Sequence, residues 1–302
     1  MSAGADVAAQ ERSDLTIFYI VEPPEYEILA CFLLASIREH FPAHVKAVGY
    51  CPEHRIGDVH PAVFKAHELM NAEIRTFKTD GMFTPAYPHG NKILACVEER
   101  DTAYSMFVDS DVLFLRSNNP ENLTSPGRVS CSMAASMLWA EQSIWDDIYG
   151  ALDMDIPPER YKLMRRSPGK VIPYFSSGLV CFPERDQGHG RFADVWYDTA
   201  SKVDRVETLE KRRPYLDQMT LPAAIRRSGL DWNILPEEQH YILGGKLRGE
   251  PLPKDRDIYT IHYRNTNNLR EVGQLDTARS YLKSHTGVKF VRRLAPDTAE
   301  KA

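Results

Sequence analysis

Between Leu15 and Leu115 the chain alternates two kinds of segment, and that alternation limits the fold more than any other feature. LTIFYIV, from Leu15, is a β-branched and aromatic run of the kind that fills a strand buried on both faces. Pro23 and Pro24 then turn the chain, and Ile28, Leu29, Phe32, Leu33, Ser36 and Ile37 recur at helical spacing as far as His40. VKAVGYC, from Val45, reads as a second strand, PAVFKAHELM as a helix with Pro61 at its favoured first position, and AEIRTFK as a third strand. A loop rich in glycine, proline and aromatics (GMFTPAYPHG) leads to a helix from Asn91 to Arg100 and then to the apolar run SMFVDSDVLFL. This β-α-β-α-β-α-β order predicts an α/β fold: an open, mostly parallel sheet with right-handed crossovers and helices on both faces.

Beyond Leu115 the alternation ends. VSCSMAASML reads as extended, KVIPYFSSGLVCFP as a strand pair or hairpin, RFADVWYDTASKV and YLDQMTLPAAIRRSG as helices, and IYTIHY as a late strand. The 302 residues, 43% of them hydrophobic, suffice for one large core, and no repeat or linker divides them. The expected organisation is a disordered tail over 1–14, one domain over 15–294 made of an α/β half (15–116) and a mixed half (117–294), and a charged tail over 295–302.

A formal net charge of -5 argues against a partner held by broad phosphate neutralisation, so nucleic acid is not expected. Cys31, Cys51, Cys96, Cys131 and Cys181 sit among apolar neighbours with no C-x-x-C pair, as reduced thiols of a cytosolic core do. The opening MSAGADVAAQERSD lacks the apolar centre of a signal peptide, and no run approaches the roughly 20 apolar residues of a membrane span. The expected location is cytoplasmic, at most peripheral to a membrane.

Asp109 and Asp111 charge a run that otherwise belongs in a core, and an ionised carboxylate there needs a positive partner. If the run is one strand, positions i and i+2 face the same side about 7 Å apart and present two hard oxygen ligands to Mg²⁺ or Mn²⁺, whose remaining shell suits phosphate oxygens. The alternative is a turn between SMFV and VLFL, with the carboxylates bonded to backbone N–H groups. His262, inside IYTIHY, is either a satisfied core histidine or a third ligand. In open α/β sheets ligands bind outside the carboxyl ends of the strands, where this pair lies.

Taken in order, FVDSDVLF, YFSSGLVCF, LDQMTL and IHY resemble the landmarks of GT-A glycosyltransferases, most nearly the retaining family 8 type, which includes glycogenin and bacterial lipopolysaccharide galactosyltransferases. The likeness covers Leu15 to Arg264. It implies transfer of a sugar, with retention, from a nucleoside diphosphate sugar bound through Mn²⁺ (or Mg²⁺) by Asp109, Asp111 and His262. The first half would bind the nucleotide and the second the acceptor, whether glycan, lipid-linked or protein. Donor contacts are implied for Val21, Glu22 and Tyr26 after the first strand, for Lys92 and Ser110, and for Ser176, Ser177 and Gly178, where the family commonly reads F-N-x-G. Asp217 and Gln218 would lie beside the donor sugar, Asp217 orienting its hydroxyls and Gln218 steadying the electron-poor anomeric carbon.

Each residue also has a plainer reading. Lys92 suits a solvated first turn, Asp217 a helix cap, and Lys211 to Arg213 either a solvated face or the flank of an anionic acceptor. Glu141, Asp146 and Asp147 are carboxylates that an inverting enzyme could fold into the cleft as a base. Two other functions compete: a nucleotide-sugar or metal-binding module without catalysis, and a sugar nucleotidyltransferase. Against the latter, VEPPEYEIL has neither the glycine nor the lysine of a phosphate-binding loop.

Overall fold

The structure, a computed structural model, describes residues 14–165, 169–185, 188–209, 212–244 and 247–294. The chain opens β1 (Leu15–Ile20), α1 (Tyr26–His40), β2 (Lys46–Pro52), α2 (Pro61–Leu69), β3 (Glu73–Phe77), α3 (Asn91–Val97), β4 (Tyr104–Val108), as the alternation predicts. It continues with β5 (Val112–Phe114), β6 (Arg128–Met133), α4 (Ile144–Ala151), β7 (Phe175–Pro183), α5 (Phe192–Asp204) and α6 (Arg212–Arg227). Last come β8 (Asp231–Ile234), β9 (Tyr241–Ile242), β10 (Thr260–His262), α7 (Thr266–Glu271) and α8 (Leu275–Thr286).

A seven-stranded sheet runs β3-β2-β1-β4-β7-β6-β8 and a three-stranded one β5-β10-β9. In the large sheet β7 lies antiparallel between β4 and β6, and the remaining pairings are parallel. Because helices cover both faces, β1 is apolar at both parities. Ile17 and Tyr19 pack with α1, α2 and α8, whereas Phe18 packs with α3, α5 and α6. The five cysteines are free and buried. No helix among the described residues is long and apolar enough to cross a membrane.

Several expectations change. SMFVDSDVLFL is not one strand: β4 ends at Val108, the Val112 N–H donates to the Asp109 carbonyl (3.1 Å), and β5 joins the other sheet. Two carboxylates inside a continuous core strand would lack partners, and the turn frees them. KVIPYFSSGLVCFP is no hairpin; β7 is a single strand whose partners are distant in sequence. The division at 116/117 runs through the large sheet, and α8 returns to pack on the α1 face. Asp14 belongs to the fold, its carbonyl accepting from the Tyr104 N–H (3.0 Å), while 1–13 and 295–302 lie outside the described residues.

α3 stops at Val97 rather than Arg100 because Arg100 folds back onto it. Its guanidinium donates to the Ala95 and Cys96 carbonyls (3.1 and 2.8 Å) and pairs with Glu184 (2.9 Å). Arg191 pairs with the other Glu184 oxygen (2.7 Å) and donates to the Val97 carbonyl (2.8 Å). Buried Arg100 and half-buried Arg191 thus receive the carbonyl end of the helix that starts with Asn91 and Lys92. Removing the shared anion leaves Arg100 without its carboxylate and Arg191 with the more distant Asp194 (3.6 Å). Glu184→Leu is expected to lower unfolding free energy by about 3–5 kcal/mol, measured by urea denaturation.

Candidate active site

The turn between β4 and β5 places Asp109 at its first position and Asp111 at its third. Ser110 Oγ donates to the Ile20 carbonyl, tying the turn to the end of β1. The small sheet then supplies the histidine: antiparallel pairing sets His262 opposite Val112, and the Tyr263 N–H donates to the Asp111 carbonyl (2.9 Å). His262 Nε2 lies 3.1 Å from Asp111 Oδ1 and 3.8 Å from Asp109 Oδ2. The three ligand atoms fall within 4.8 Å of one another. Two carboxylates and an imidazole form a donor set suited to Mn²⁺ or Mg²⁺, so these residues fit the metal that the sequence resemblance implies.

β7 reaches the same point through a bulge. Cys131 pairs with Val180 and Met133 with Phe175, so β6 advances two residues while β7 advances five. Ser176, Ser177, Gly178 and Leu179 are left outside the β6 ladder. Gly178 accepts from the Asp109 N–H (2.9 Å), and a Cβ on it would lie 2.9 Å from both Asp109 Oδ2 and the His262 ring. Only glycine permits that approach. Ser177 Oγ donates to Asp217 Oδ2, and Ser176 Oγ sits 3.1 Å from His240 Nε2.

Lys92 is not solvated. Its Nζ lies 2.9 Å from Asp109 Oδ1, 3.1 Å from Asp217 Oδ2 and 3.3 Å from Ser177 Oγ. Nor is Asp217 a cap: it lies inside α6, and its buried carboxylate answers Lys92. Next to it, Gln218 Oε1 accepts from the Tyr174 hydroxyl (2.9 Å), which accepts from Trp139 Nε1 (3.0 Å). Trp139 stacks on Tyr215 at 4.4 Å and 12°.

Charge follows from these contacts. Burial opposes the Lys92 ammonium, but Asp109 and Asp217 outweigh it and hold the proton tightly. Burial, with Asp111 adding, raises the Asp109 carboxyl against the pull of Lys92. Burial also acts to raise Asp111, yet His262 more than offsets it and the carboxyl falls below its ordinary range. Burial works against a charged His262, which Asp111 and Asp109 overcome, raising it. His240 is driven well down by burial and by His262, and is neutral.

In front of the turn opens a cavity of about 410 Å³, walled by Ile20, Glu22, Pro23, Pro24 and Tyr26 on one side and by Pro88, His89, Asn91 and Lys92 on the other. Phe107, Asp109, Ser110 and Asp111 lie at its base. Glu22 accepts from Asn91 Nδ2 (3.0 Å) and Arg55 Nη1 (3.4 Å). Tyr26 is 46% exposed at the mouth. Val21 does not line the cavity, because alternation along the chain turns its side chain into the core and its N–H donates to the Tyr50 carbonyl (2.7 Å).

Of the other charged candidates, Glu141 and Asp147 line a separate cavity of about 370 Å³ beside Trp139, which Asp146 does not line. Arg212 and Arg213 both pair with Asp204 and form no free basic face, and Lys211 lies outside the described residues. Asn91, Arg55, Tyr174 and His240 were not predicted. Asn91 adjoins Lys92 in HGNK, a signal available beforehand; His240 carries none.

The fold is of the GT-A glycosyltransferase type, and the site resembles that of the family 8 type. Residues 17–229 match the model of the Rhodobacterales glycosyltransferase domain, and the chain belongs to that family. Among solved structures it is similar to the galactosyltransferase LgtC in complex with donor and acceptor sugar analogs (TM-score 0.58, 14% identity, covering 90% of this chain and 96% of that one). An active-site glutamine-to-glutamate variant of LgtC is similar at TM-score 0.54 and 12% identity, with 87% and 95% covered. The bifunctional glycosyltransferase WbbM, in its apo form, is similar at TM-score 0.55 and 13% identity over 90% of this chain, which spans 50% of WbbM. No curated protein matches the sequence.

The crowding at Gly178 gives a test of the geometry. Gly178→Ala must move Asp109, His262 or the bulge and is expected to cost about 1–3 kcal/mol in urea denaturation. Gly57→Ala, where a Cβ meets nothing, is expected to change stability by no more than about 0.5 kcal/mol.

Proposed function

We propose that this protein transfers a sugar from a nucleoside diphosphate sugar to an acceptor hydroxyl, with retention at the anomeric carbon and with Mn²⁺ or Mg²⁺ held by Asp109, Asp111 and His262. The observation that carries the reading is the meeting of those three side chains at the base of a cavity whose wall, through Lys92, is tied to Asp217. Membership of a glycosyltransferase family supports it. The catalytic unit in this reading is the whole of 15–294, since α8 and β10 are packed into the half that carries the donor cavity.

When bound, the cation supplies Lewis-acid neutralisation of charge on the departing diphosphate. The chain's own residues do the rest. Lys92 holds Asp109 and Asp217 in one arrangement, so the metal site and the sugar site keep a set spacing. Ser177 takes part of the Asp217 carboxylate, leaving the rest for donor-sugar hydroxyls. LgtC has an active-site glutamine, and we assign Gln218 that role here, its amide oriented by Tyr174. The bond from the anomeric carbon to the diphosphate oxygen breaks with its electron pair going to oxygen. The acceptor oxygen bonds to the same face, and its proton passes to the departing diphosphate. Two observations favour retention: Glu22 and Asp217 are already engaged by protein donors, and Glu141 and Asp147 line the other cavity.

Two measurements test the reading. In calorimetry, a nucleoside diphosphate is expected to bind in a Mn²⁺-dependent manner, and Asp111→Asn to weaken it by about 10-fold or more; unchanged affinity removes the ion site. Proton NMR of the first-formed product is expected to give the donor's anomeric configuration, and Asp217→Asn to lower kcat by about 10²-fold with nucleoside diphosphate affinity nearly unchanged. An inverted product would overturn the assignment of Asp217 and Gln218.

A further inference from the structure

Two adjacent serines in the bulge of β7 are bonded in opposite senses. Ser177 Oγ gives its one proton to Asp217 Oδ2 and accepts from Lys92 Nζ (3.3 Å), so a lone pair is what it has left for a ligand. Ser176 Oγ accepts from the Gly178 N–H (3.3 Å) and sits 3.1 Å from His240 Nε2. Which atom of that second pair gives the proton decides what Ser176 can offer.

The far side of the imidazole bears on the choice. His240 is fully buried, and its Nδ1 has no hydrogen-bond partner among the described residues. A neutral imidazole carries one N–H and one lone pair. If Ser176 were the donor, the ring proton would have to sit on Nδ1, a buried N–H with nothing to accept it. With the proton on Nε2, the unpaired feature is a lone pair, and orphaned buried N–H groups are the rarer of the two in folded proteins. Both lone pairs of Ser176 are then taken, by His240 and by Gly178, and its own proton meets no acceptor among the described residues.

The chain around His240 is held on every side. Glu237 and Glu238 pair with Arg256 (2.9 and 2.8 Å), Gln239 Oε1 accepts from Asn118 Nδ2 (2.7 Å), and Tyr241 and Ile242 pair with Ile261 and His262 of β10. The ring is thereby fixed with its centroid 5.2 Å from that of His262. An apolar side chain would fill the space without leaving a buried nitrogen unpaired. What the histidine adds is one N–H directed at Ser176.

We propose that His240 is a positioning residue for the donor sugar: its Nε2–H occupies Ser176 Oγ and leaves the serine proton for an oxygen of the sugar, while Ser177 beside it can only accept. The sugar contact rests on the nucleoside diphosphate sugar reading above.

Two measurements test it. Long-range nitrogen–proton correlation NMR of histidine-labelled protein locates the ring proton of His240, whose signals are those that His240→Gln removes. The proton is expected on Nε2, and a proton on Nδ1 overturns the proposal. Calorimetry in Mn²⁺ then compares UDP, GDP and ADP with their glucose and galactose conjugates. The proteins are the parent, Ser176→Ala, His240→Phe, His240→Gln and the double variant Ser176→Ala/His240→Phe, with Tm measured for each.

For the conjugate that the parent binds best, Ser176→Ala and His240→Phe are each expected to weaken binding by about 5-fold or more, with affinity for the free diphosphate within about 2-fold of the parent's. The double variant is expected to bind no more weakly than Ser176→Ala, since the imidazole acts through the hydroxyl. His240→Gln, whose amide can set an N–H at the same point, is expected to keep most of the affinity. A Ser176→Ala protein that binds the conjugate as the parent does overturns the proposal. So does a His240→Phe protein that loses conjugate and free diphosphate alike with a lowered Tm, which would make the histidine structural. If the parent binds none of these nucleotides, the donor reading falls and the sugar contact with it, while the site of the His240 proton still decides whether the histidine sets the direction of the serine's bond.

Discussion

The bridge from Lys92 to Asp109 and Asp217 is the contact on which the site depends. It joins the first turn of α3, the end of β4 and the interior of α6, the first two consecutive in the chain and the third far along it. A buried ion group of this kind is weak support for net stability, since desolvation offsets most of the attraction. Its strength is in geometry: each partner's position is costly to change once the others are buried with it. Arg100 and Arg191 serve the same end by holding the far terminus of α3 against Glu184.

The two sheets divide the labour. The large one ends β4 just before Asp109, at the carboxyl side where open α/β sheets gather ligands, and closes both faces with helices. The small one has short strands, and its chief effect is to bring His262 to the turn through the β5–β10 pairing. Between them the chain crosses at Asp109–Val112, so the aspartates belong to the junction and to neither sheet.

Much of this was legible in the sequence, for stated reasons. β1, α1, β2, α2 and β3 read correctly because strands covered on both faces are continuously apolar and the helices between them keep their spacing. The carboxylate pair and His262 stood out as charged or titratable groups in apolar surroundings. Their conformation did not, because turn or strand at Asp109 depends on whether β5 finds a second sheet. Arg100 read as a helix end, yet its fate is set by Glu184, 84 residues away. Val21 was named together with Glu22, and alternation along the chain decides which of the two neighbours faces the cavity. His240 and Tyr174 gave no sign, being ordinary residues until Ser176 and Gln218 are placed against them.

The bulge in β7 separates two duties that one strand would otherwise combine. Leu179 to Pro183 stay locked in register with β4, and Phe175 with β6, whatever side chains stand at 176 and 177. Substitution there leaves the ladder of the sheet intact. A chain built this way can vary the side chains at the bulge, as with serine at a position where asparagine is common in the family it resembles, while the strand pairing on either side stays as it was. Variation at the bulge and loss of fold are thereby uncoupled along a few residues of one strand.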